Sequence, residues 1–92
     1  VMMRDIKYFE SRGRHIIINL VDNQSIQYVG QLKNEIKKLP LNFVEIGKSY
    51  IINLKHMREC HVSYVVMDDG KELGISRAYR NYFNEKILEY NS

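Results

Sequence analysis

Residues 43–53 constrain the fold of this chain most strongly, because their apolar side chains form two short clusters separated by a polar step. Residues 43–46 carry the first cluster and residues 50–52 the second. Gly47, Lys48 and Ser49 lie between them. This spacing predicts two strands joined by a tight polar loop. Gly47 permits close approach of the backbone to a large partner. A cation and a hydroxyl held between buried strands therefore suit a phosphate contact.

The residues before this stretch predict an antiparallel meander. Residues 5–10 mix apolar and polar side chains, residues 11–13 break the run, and residues 14–21 alternate as expected for a strand with a buried face. Asp22 and Asn23 supply a turn, after which residues 25–29 form a third predicted strand.

Two stretches change to a helical period. Residues 32–39 place their apolar side chains on one face until Pro40, which predicts a short middle helix. The lysines of this helix (Lys33, Lys37 and Lys38) lie off that face, and their simplest interpretation is exposure to solvent. The alternative is that they add a distant attraction for phosphate. Residues 77–90 carry a second apolar stripe, which predicts a C-terminal helix with Ser76 as its N-cap.

Residues 53–57 are typical of a short helical turn, and residues 58–67 alternate so regularly that they predict the longest strand of the chain. Cys60 is interpreted as a buried residue of that strand. Asp69 and Gly70 predict a hairpin in which two successive residues have positive φ, so that residues 71–76 pair back.

The expected fold is mainly β: several short antiparallel sheets, a short middle helix and a C-terminal helix. The side chains predicted to form the core share the apolar side of their own element, and they are Ile16, Ile18, Leu20, Phe43, Ile51, Val62, Phe83 and Ile87.

Composition limits the class of protein. With 92 residues, 45% of them apolar, the chain is expected to form one domain, and no apolar run is long enough to cross a bilayer. The single cysteine cannot make an internal disulfide and no signal-peptide pattern is present, so we expect a cytoplasmic protein. The net charge of +3 is weak support for a nucleic-acid partner, which depends on where the cations cluster.

Neither a Gly-rich phosphate loop nor a Ser–His–Asp arrangement can be assembled from the sequence, so we expect no enzyme activity and no small-molecule substrate. His56, Cys60 and His61 come nearest to a metal site. On one strand Cys60 and His61 would face opposite sides, and zinc requires three or four ligands. We therefore expect neither a metal nor a cofactor.

Four motifs occur in an order that resembles one protein family. Residues 5–11 form an opening strand with a Glu, and residues 30–32 begin a short helix. Residues 43–57 carry Phe-aliphatic, a polar step and Ser-Tyr-Ile-Ile-Asn, and residues 74–77 carry Ile-Ser-Arg. Together these motifs resemble the LytTR DNA-binding domain over about residues 5–83.

The chain also departs from the pattern of this family. It has Glu45 where a basic residue is usual, Gly47 where a His is usual and Lys48 where an Arg is usual. These departures bear on base contacts rather than on the fold.

Three loops carry cations: the first hairpin turn with Arg12, Arg14 and His15, the central loop with Lys48, and the start of the last helix with Arg77 and Arg80. The resemblance implies that the fold brings these three basic loops to one edge, where they enter the grooves of duplex DNA without a recognition helix. Arg77 is the predicted base reader, since a guanidinium can hold guanine at two points. Ser49 and Ser76 could equally serve as phosphate contacts or as turn and cap groups, and Glu10 is predicted to orient Arg12 or Arg14. The predicted DNA-contacting residues are Arg12, Arg14, His15, Lys48, Ser49, Ser76, Arg77 and Arg80.

The function expected from this resemblance is sequence-specific binding of duplex DNA, as the output domain of a bacterial response regulator in a two-component system. Residues 1–92 would then be a single domain cut from a longer regulator, with a phosphoacceptor or sensor domain upstream and residues 1–4 as the remnant of a first strand. The resemblance is compatible with a homodimer of the full-length regulator. The rival hypothesis is a protein-interaction module that adds a partner's strand to an exposed sheet edge.

Overall fold

The computed structural model describes residues 1–92 and contains eight strands in two antiparallel sheets, together with two α-helices. The prediction of a mainly β domain with a short middle helix and a C-terminal helix is confirmed. The strands are β1 Ile6–Arg12, β2 His15–Leu20, β3 Ser25–Val29, β4 Phe43–Glu45, β5 Tyr50–Asn53, β6 Met57–Cys60, β7 Tyr64–Met67 and β8 Glu72–Gly74. The helices are α1 Leu32–Glu35 and α2 Arg80–Asn91, and 3₁₀ turns lie at Met3–Asp5, Val21–Asn23, Ile36–Lys38, Leu54–His56 and Arg77–Tyr79. None of the helices is long and apolar enough to cross a membrane.

The larger sheet has five strands in the order β3-β2-β1-β5-β4. Its first three strands are the predicted meander, in which Phe9 pairs with Ile18 of β2 on one side and with Ile51 of β5 on the other. The turn between β2 and β3 holds Asp22 and Asn23 at φ of 69° and 61°, the left-handed region that these two residue types tolerate. Residues 43–53 therefore complete this sheet on its β1 side, as strand, loop and strand.

The smaller sheet has the order β6-β7-β8 and corrects the prediction of one long strand over residues 58–67. The chain turns at residues 61–63, where the amide of His61 donates to the carbonyl of Tyr64 at 2.9 Å. Val62 lies on this turn and is 82% exposed, so its predicted place in the core is wrong. Cys60 is also exposed rather than buried. The alternating pattern was misleading because it continued through the turn.

The hairpin between β7 and β8 lies where it was predicted but has a different turn. Only Gly70 has a positive φ, at 90°, and its amide donates to the carbonyl of Met67 at 2.9 Å. A three-residue loop with glycine in the left-handed region explains this geometry better than a turn with two such residues.

Two hydrophobic clusters lie on opposite faces of the larger sheet. Ile51 points into one cluster with Leu32 of α1, and its neighbour Ile52 points into the other with Phe83 of α2. Five predicted core residues are buried, and two more, Ile18 and Ile87, are half-buried against the clusters. The buried five are Ile16, Leu20, Phe43, Ile51 and Phe83.

Polar contacts also stabilise the larger sheet and join it to the smaller one. Asn53 is fully buried, and its side-chain nitrogen donates to the carbonyl of Ile6 at 2.8 Å. Lys7 in β1 reaches Asp69 in the β7–β8 hairpin at 2.5 Å. The hydrogen bond from Lys7 is the main reason that the pKa of Asp69 is lowered.

His56 joins the segment before β1 to the smaller sheet. Its Nδ1 lies 2.6 Å from Oδ2 of Asp68 and its Nε2 lies 2.6 Å from the carbonyl oxygen of Arg4. Both neighbours are acceptors, so the doubly protonated ring satisfies both contacts. Burial alone would lower the pKa of His56, but the hydrogen bonds with the Arg4 carbonyl and Asp68 outweigh burial and raise it. Protonated His56 therefore stabilises the fold below pH 6.5, and this contribution is lost as the pH rises through the raised pKa.

Candidate nucleic-acid interface

Three loops from separate parts of the chain meet at one end of the larger sheet. The amide of Ser11, at the end of β1, donates to the carbonyl of Ser49 at 2.8 Å. The amide of Ser76, which follows β8, donates to the carbonyl of Ile46 at 2.8 Å. The loop between β4 and β5 is thus held from both sides, by the first hairpin and by the junction leading to α2.

The central loop packs directly against this junction at Gly47. A Cβ atom at Gly47 would lie 3.4 Å from the Cβ of Ser76, at the near limit of ordinary van der Waals contact. A larger side chain would have to point away from Ser76. The close packing makes the spacing between the two loops a fixed property of the fold.

Two clefts open between the loops. One, of about 450 Å³, lies between Gly13 of the first hairpin, Lys33 of α1, and Glu45 and Lys48 from the central stretch. The other, of about 660 Å³, lies between residues 46–50 and residues 74–79, and both Ser49 and Ser76 contribute to it. Lys48 and Tyr79 line both clefts, so the two form one continuous indented surface.

The first hairpin presents its cations at the rim of this surface. Arg12 has a side chain that is 71% exposed, and its Nη2 donates to Oε2 of Glu10 at 3.0 Å. The predicted orientation of an arginine by Glu10 is therefore confirmed for Arg12. Arg14 is exposed, and its carbonyl accepts from the amide of Gly30 at 3.1 Å, which ties the turn to the start of α1. His15 is half-buried at the start of β2, opposite Arg12.

The other predicted cations differ in whether their side chains are bonded within the protein. Lys48 and Arg77 are exposed and take part in none of the salt bridges or side-chain hydrogen bonds of the structure. Arg80 is half-buried, and its Nε donates to the carbonyl of Ile75 at 3.4 Å. Arg80 thus supports the backbone beside Arg77, a contact that the sequence alone did not indicate.

Ser76 does not act as the predicted helix cap. It precedes the 3₁₀ turn Arg77–Tyr79 and its side chain makes no capping hydrogen bond. The α-helix begins only at Arg80, one turn further on, so the hydroxyl of Ser76 is not engaged at the helix start.

Two residues of this surface are not among the predicted DNA-contacting residues. Lys33 is exposed but lines the same cleft as Lys48, and half-buried Tyr79 lines both clefts. The signal available for Lys33 was its place three residues after Gly30, where the β2–β3 hairpin returns the chain to the end that carries the first turn.

The residues considered as metal ligands take part in separate contacts. His56 is bonded to Asp68 and to the Arg4 carbonyl, whereas His61 bonds Glu59 at 2.8 Å and stacks on Tyr64 with ring centroids 4.4 Å apart. No group of three or more His, Cys, Asp or Glu side chains is placed to hold a metal ion.

The structure is a small two-sheet domain that presents exposed cations at one end, most of them on loops between strands and in the junction before α2. The family model described as the LytTr DNA-binding domain matches residues 1–88. The chain belongs to the LytTR family of DNA-binding domains, and the resemblance of its motifs to that family is confirmed.

A solved structure supports the same fold. The chain is similar to the LytTr DNA-binding domain of a methyl-accepting/DNA response regulator from Bacillus cereus, with a TM-score of 0.85 and 22% sequence identity. The match covers 95% of this chain and 84% of the other. No curated protein sequence matches this chain.

Proposed function

We propose that this domain binds duplex DNA sequence-specifically through its three basic loops. The observation that carries the proposal is the convergence of these loops at one end, where hydrogen bonds of 2.8 Å hold the central loop on both sides. Exposed Arg12, Arg14, Lys48 and Arg77 extend from that end. Cations spaced by a fixed scaffold can neutralise several phosphates together, which supplies affinity.

Different residues of the surface perform different tasks in this proposal. Lys48 and the two arginines of the first hairpin contact phosphates, and the hydroxyls of Ser49 and Ser76 donate to phosphate oxygens, which sets the register on the duplex. Arg77 reads a base, because its free guanidinium can form two hydrogen bonds to guanine. His15 adds a contact from the start of β2, opposite Arg12. Arg80 adds positive charge while it supports the junction.

We further propose that the domain is the output part of a bacterial response regulator of transcription, acting in the cytoplasm. Membership of the LytTR family and the similarity to a response-regulator domain from Bacillus cereus both favour this context. Residues 1–92 are then one domain of a longer protein, whose phosphoacceptor or sensor domain precedes them, and a homodimer of the whole regulator is the assembly to test first.

One feature of the structure favours the rival function of strand addition. β3 is an edge strand bonded only to β2, it carries no charged residue, and Val29 at its end is 72% exposed. A partner's strand could pair with this edge through main-chain hydrogen bonds.

A binding titration at several salt concentrations separates the two functions. The domain is mixed with randomised duplex, the retained duplexes are sequenced, and the affinity for the selected site is measured over a range of salt. Loop-mediated DNA binding predicts a recurrent site and an affinity that falls steeply with salt. Retention of no duplex at low salt would contradict the proposal and leave strand addition as the better account.

A further inference from the structure

Glu45 is the only carboxylate among the side chains that line the cleft of about 450 Å³. It ends β4 and is half-buried. Lys33 and Lys48 line the same cleft, but neither forms a salt bridge with Glu45. The carboxylate is therefore not paired with a cation, although it lies within a surface that is otherwise suited to phosphate.

Tyr82 of α2 holds Glu45 in place. Its hydroxyl donates to Oε1 of Glu45 at 3.2 Å, while Oε2 of Glu45 has no hydrogen-bond partner in the protein. The Tyr82 ring packs edge-on against Tyr79, with centroids 6.1 Å apart. Burial raises the pKa of Tyr82 and the charge of Glu45 raises it further, so the phenol keeps the proton that it donates. One oxygen of Glu45 is thus anchored and the other is available to a ligand.

The chemistry of a duplex restricts what this oxygen can accept. Phosphate oxygens repel a carboxylate, so Glu45 is unsuited to a backbone contact. The hydrogen-bond donors in the major groove are the amino groups of cytosine and adenine. The adenine amino group lies between two acceptors, its own N7 and O4 of the paired thymine, which would repel the second carboxylate oxygen. The cytosine N4 amino group has an acceptor on one side only, O6 of the paired guanine, and the C5 edge of cytosine on the other side is free of acceptors.

We propose that Glu45 is a specificity-determining residue that accepts a hydrogen bond from the N4 amino group of one cytosine in the major groove, an inference that rests on the proposed DNA-binding function. Tyr82 is its positioning residue. Because Lys48 and Glu45 line one cleft, a duplex whose phosphate lies on Lys48 brings base edges towards Glu45. A wrong base at that position leaves the carboxylate desolvated and unpaired.

The test compares the sites that four proteins select from randomised duplex: wild type, Glu45→Gln, Tyr82→Phe and Glu85→Gln. Glutamine bonds adenine through N6 and N7, so Glu45→Gln should replace cytosine by adenine at one position, where wild type discriminates by about tenfold or more. Tyr82→Phe keeps the ring and should reduce discrimination at that position alone. Glu85 is exposed on α2 and outside the cleft, so Glu85→Gln controls for the lost charge and should select the wild-type site.

Two results would overturn the inference about Glu45. One is an identical selected site for wild type and Glu45→Gln. The other is an increase in the affinity of Glu45→Gln for every duplex by the same factor, since this would mean that Glu45 only repels phosphate. In either case wild type still selects a site, so the proposed function stands. A wild-type protein that selects no site would remove the proposed function and the inference with it.

Discussion

Replacing Ile51 with alanine should destabilise the domain severely. Ile51 is fully buried in β5, between β1 and β4, where it pairs with Phe9 and packs within one of the two hydrophobic clusters. The change removes three carbon atoms, worth about 2.4 kcal/mol in transfer free energy at about 0.8 kcal/mol each. The cavity adds to this, so we expect a loss of about 4 kcal/mol. For a domain of this size the melting temperature should fall by about 15–30 °C.

The assay is thermal unfolding followed by circular dichroism, with Val62→Ala as the matched control. Val62 is also an aliphatic residue of an apolar alternating run, but it is 82% exposed on a turn. Its truncation should change the free energy of unfolding by less than about 0.5 kcal/mol. If Ile51→Ala melts within a degree or two of wild type, the placement of β5 as an interior strand between β1 and β4 is refuted.

The other predictions concern charge. Lys48→Ala should weaken binding to specific and random duplex by a similar factor and reduce the slope of log affinity against log salt by about one unit. Lys71→Ala, in the β7–β8 hairpin and outside both clefts, should leave the slope unchanged, and an equal slope for both variants would exclude the phosphate contact. Because the pKa of His56 is raised, the melting temperature of wild type should fall more steeply than that of His56→Gln as the pH rises above 6.5. Parallel profiles for the two proteins would show that the His56 contacts contribute nothing that depends on protonation.

Local sequence signals were sufficient for most of the fold, because the elements of the larger sheet follow their own periods. The meander formed by β1, β2 and β3 shows the alternation and turn residues that a strand and its hairpins require. α2 shows a helical stripe whose central residue, Phe83, is fully buried.

The errors over residues 58–67 arose because one pattern continued across two elements. The alternation of residues 58–67 included Val62, which lies on the turn between β6 and β7. Apolar residues on an exposed turn look the same in the sequence as apolar residues in a strand. The distinction depends on the pairing of β6 with β7, which is a tertiary contact.

The candidate site was harder to predict from the sequence than the fold was. Arg12, Lys48 and Arg77 are far apart in the chain, and only the resemblance to a family placed them together. The sequence placed Arg77 and Arg80 together at the start of one predicted helix. It therefore did not show that Arg77 is exposed whereas Arg80 bonds to the backbone of Ile75. The contact between Tyr82 and Glu45 spans 37 positions and leaves no local signature.

The central claim is that the three loops read the DNA sequence as well as bind its phosphates, and Arg77 tests it most directly. Arg77 is exposed, and the neighbouring backbone is held by the bonds from Ser76 to Ile46 and from Arg80 to Ile75. Because this backbone is rigid, less conformational entropy is lost when the guanidinium of Arg77 binds DNA. A bidentate contact with guanine is worth about 1–3 kcal/mol of discrimination.

The measurement is the ratio of affinities for the selected duplex and for random duplex, at one salt concentration, in folded variants. Arg77→Ala should lower this ratio by about tenfold or more, and Arg77→Lys should restore it only in part, because an ammonium keeps the charge but lacks the planar fork. Lys71→Ala serves as the control for a lost surface cation. If Arg77→Ala and Arg77→Lys both leave the ratio at its wild-type value, Arg77 reads no base and the central claim is contradicted at the residue best placed to satisfy it.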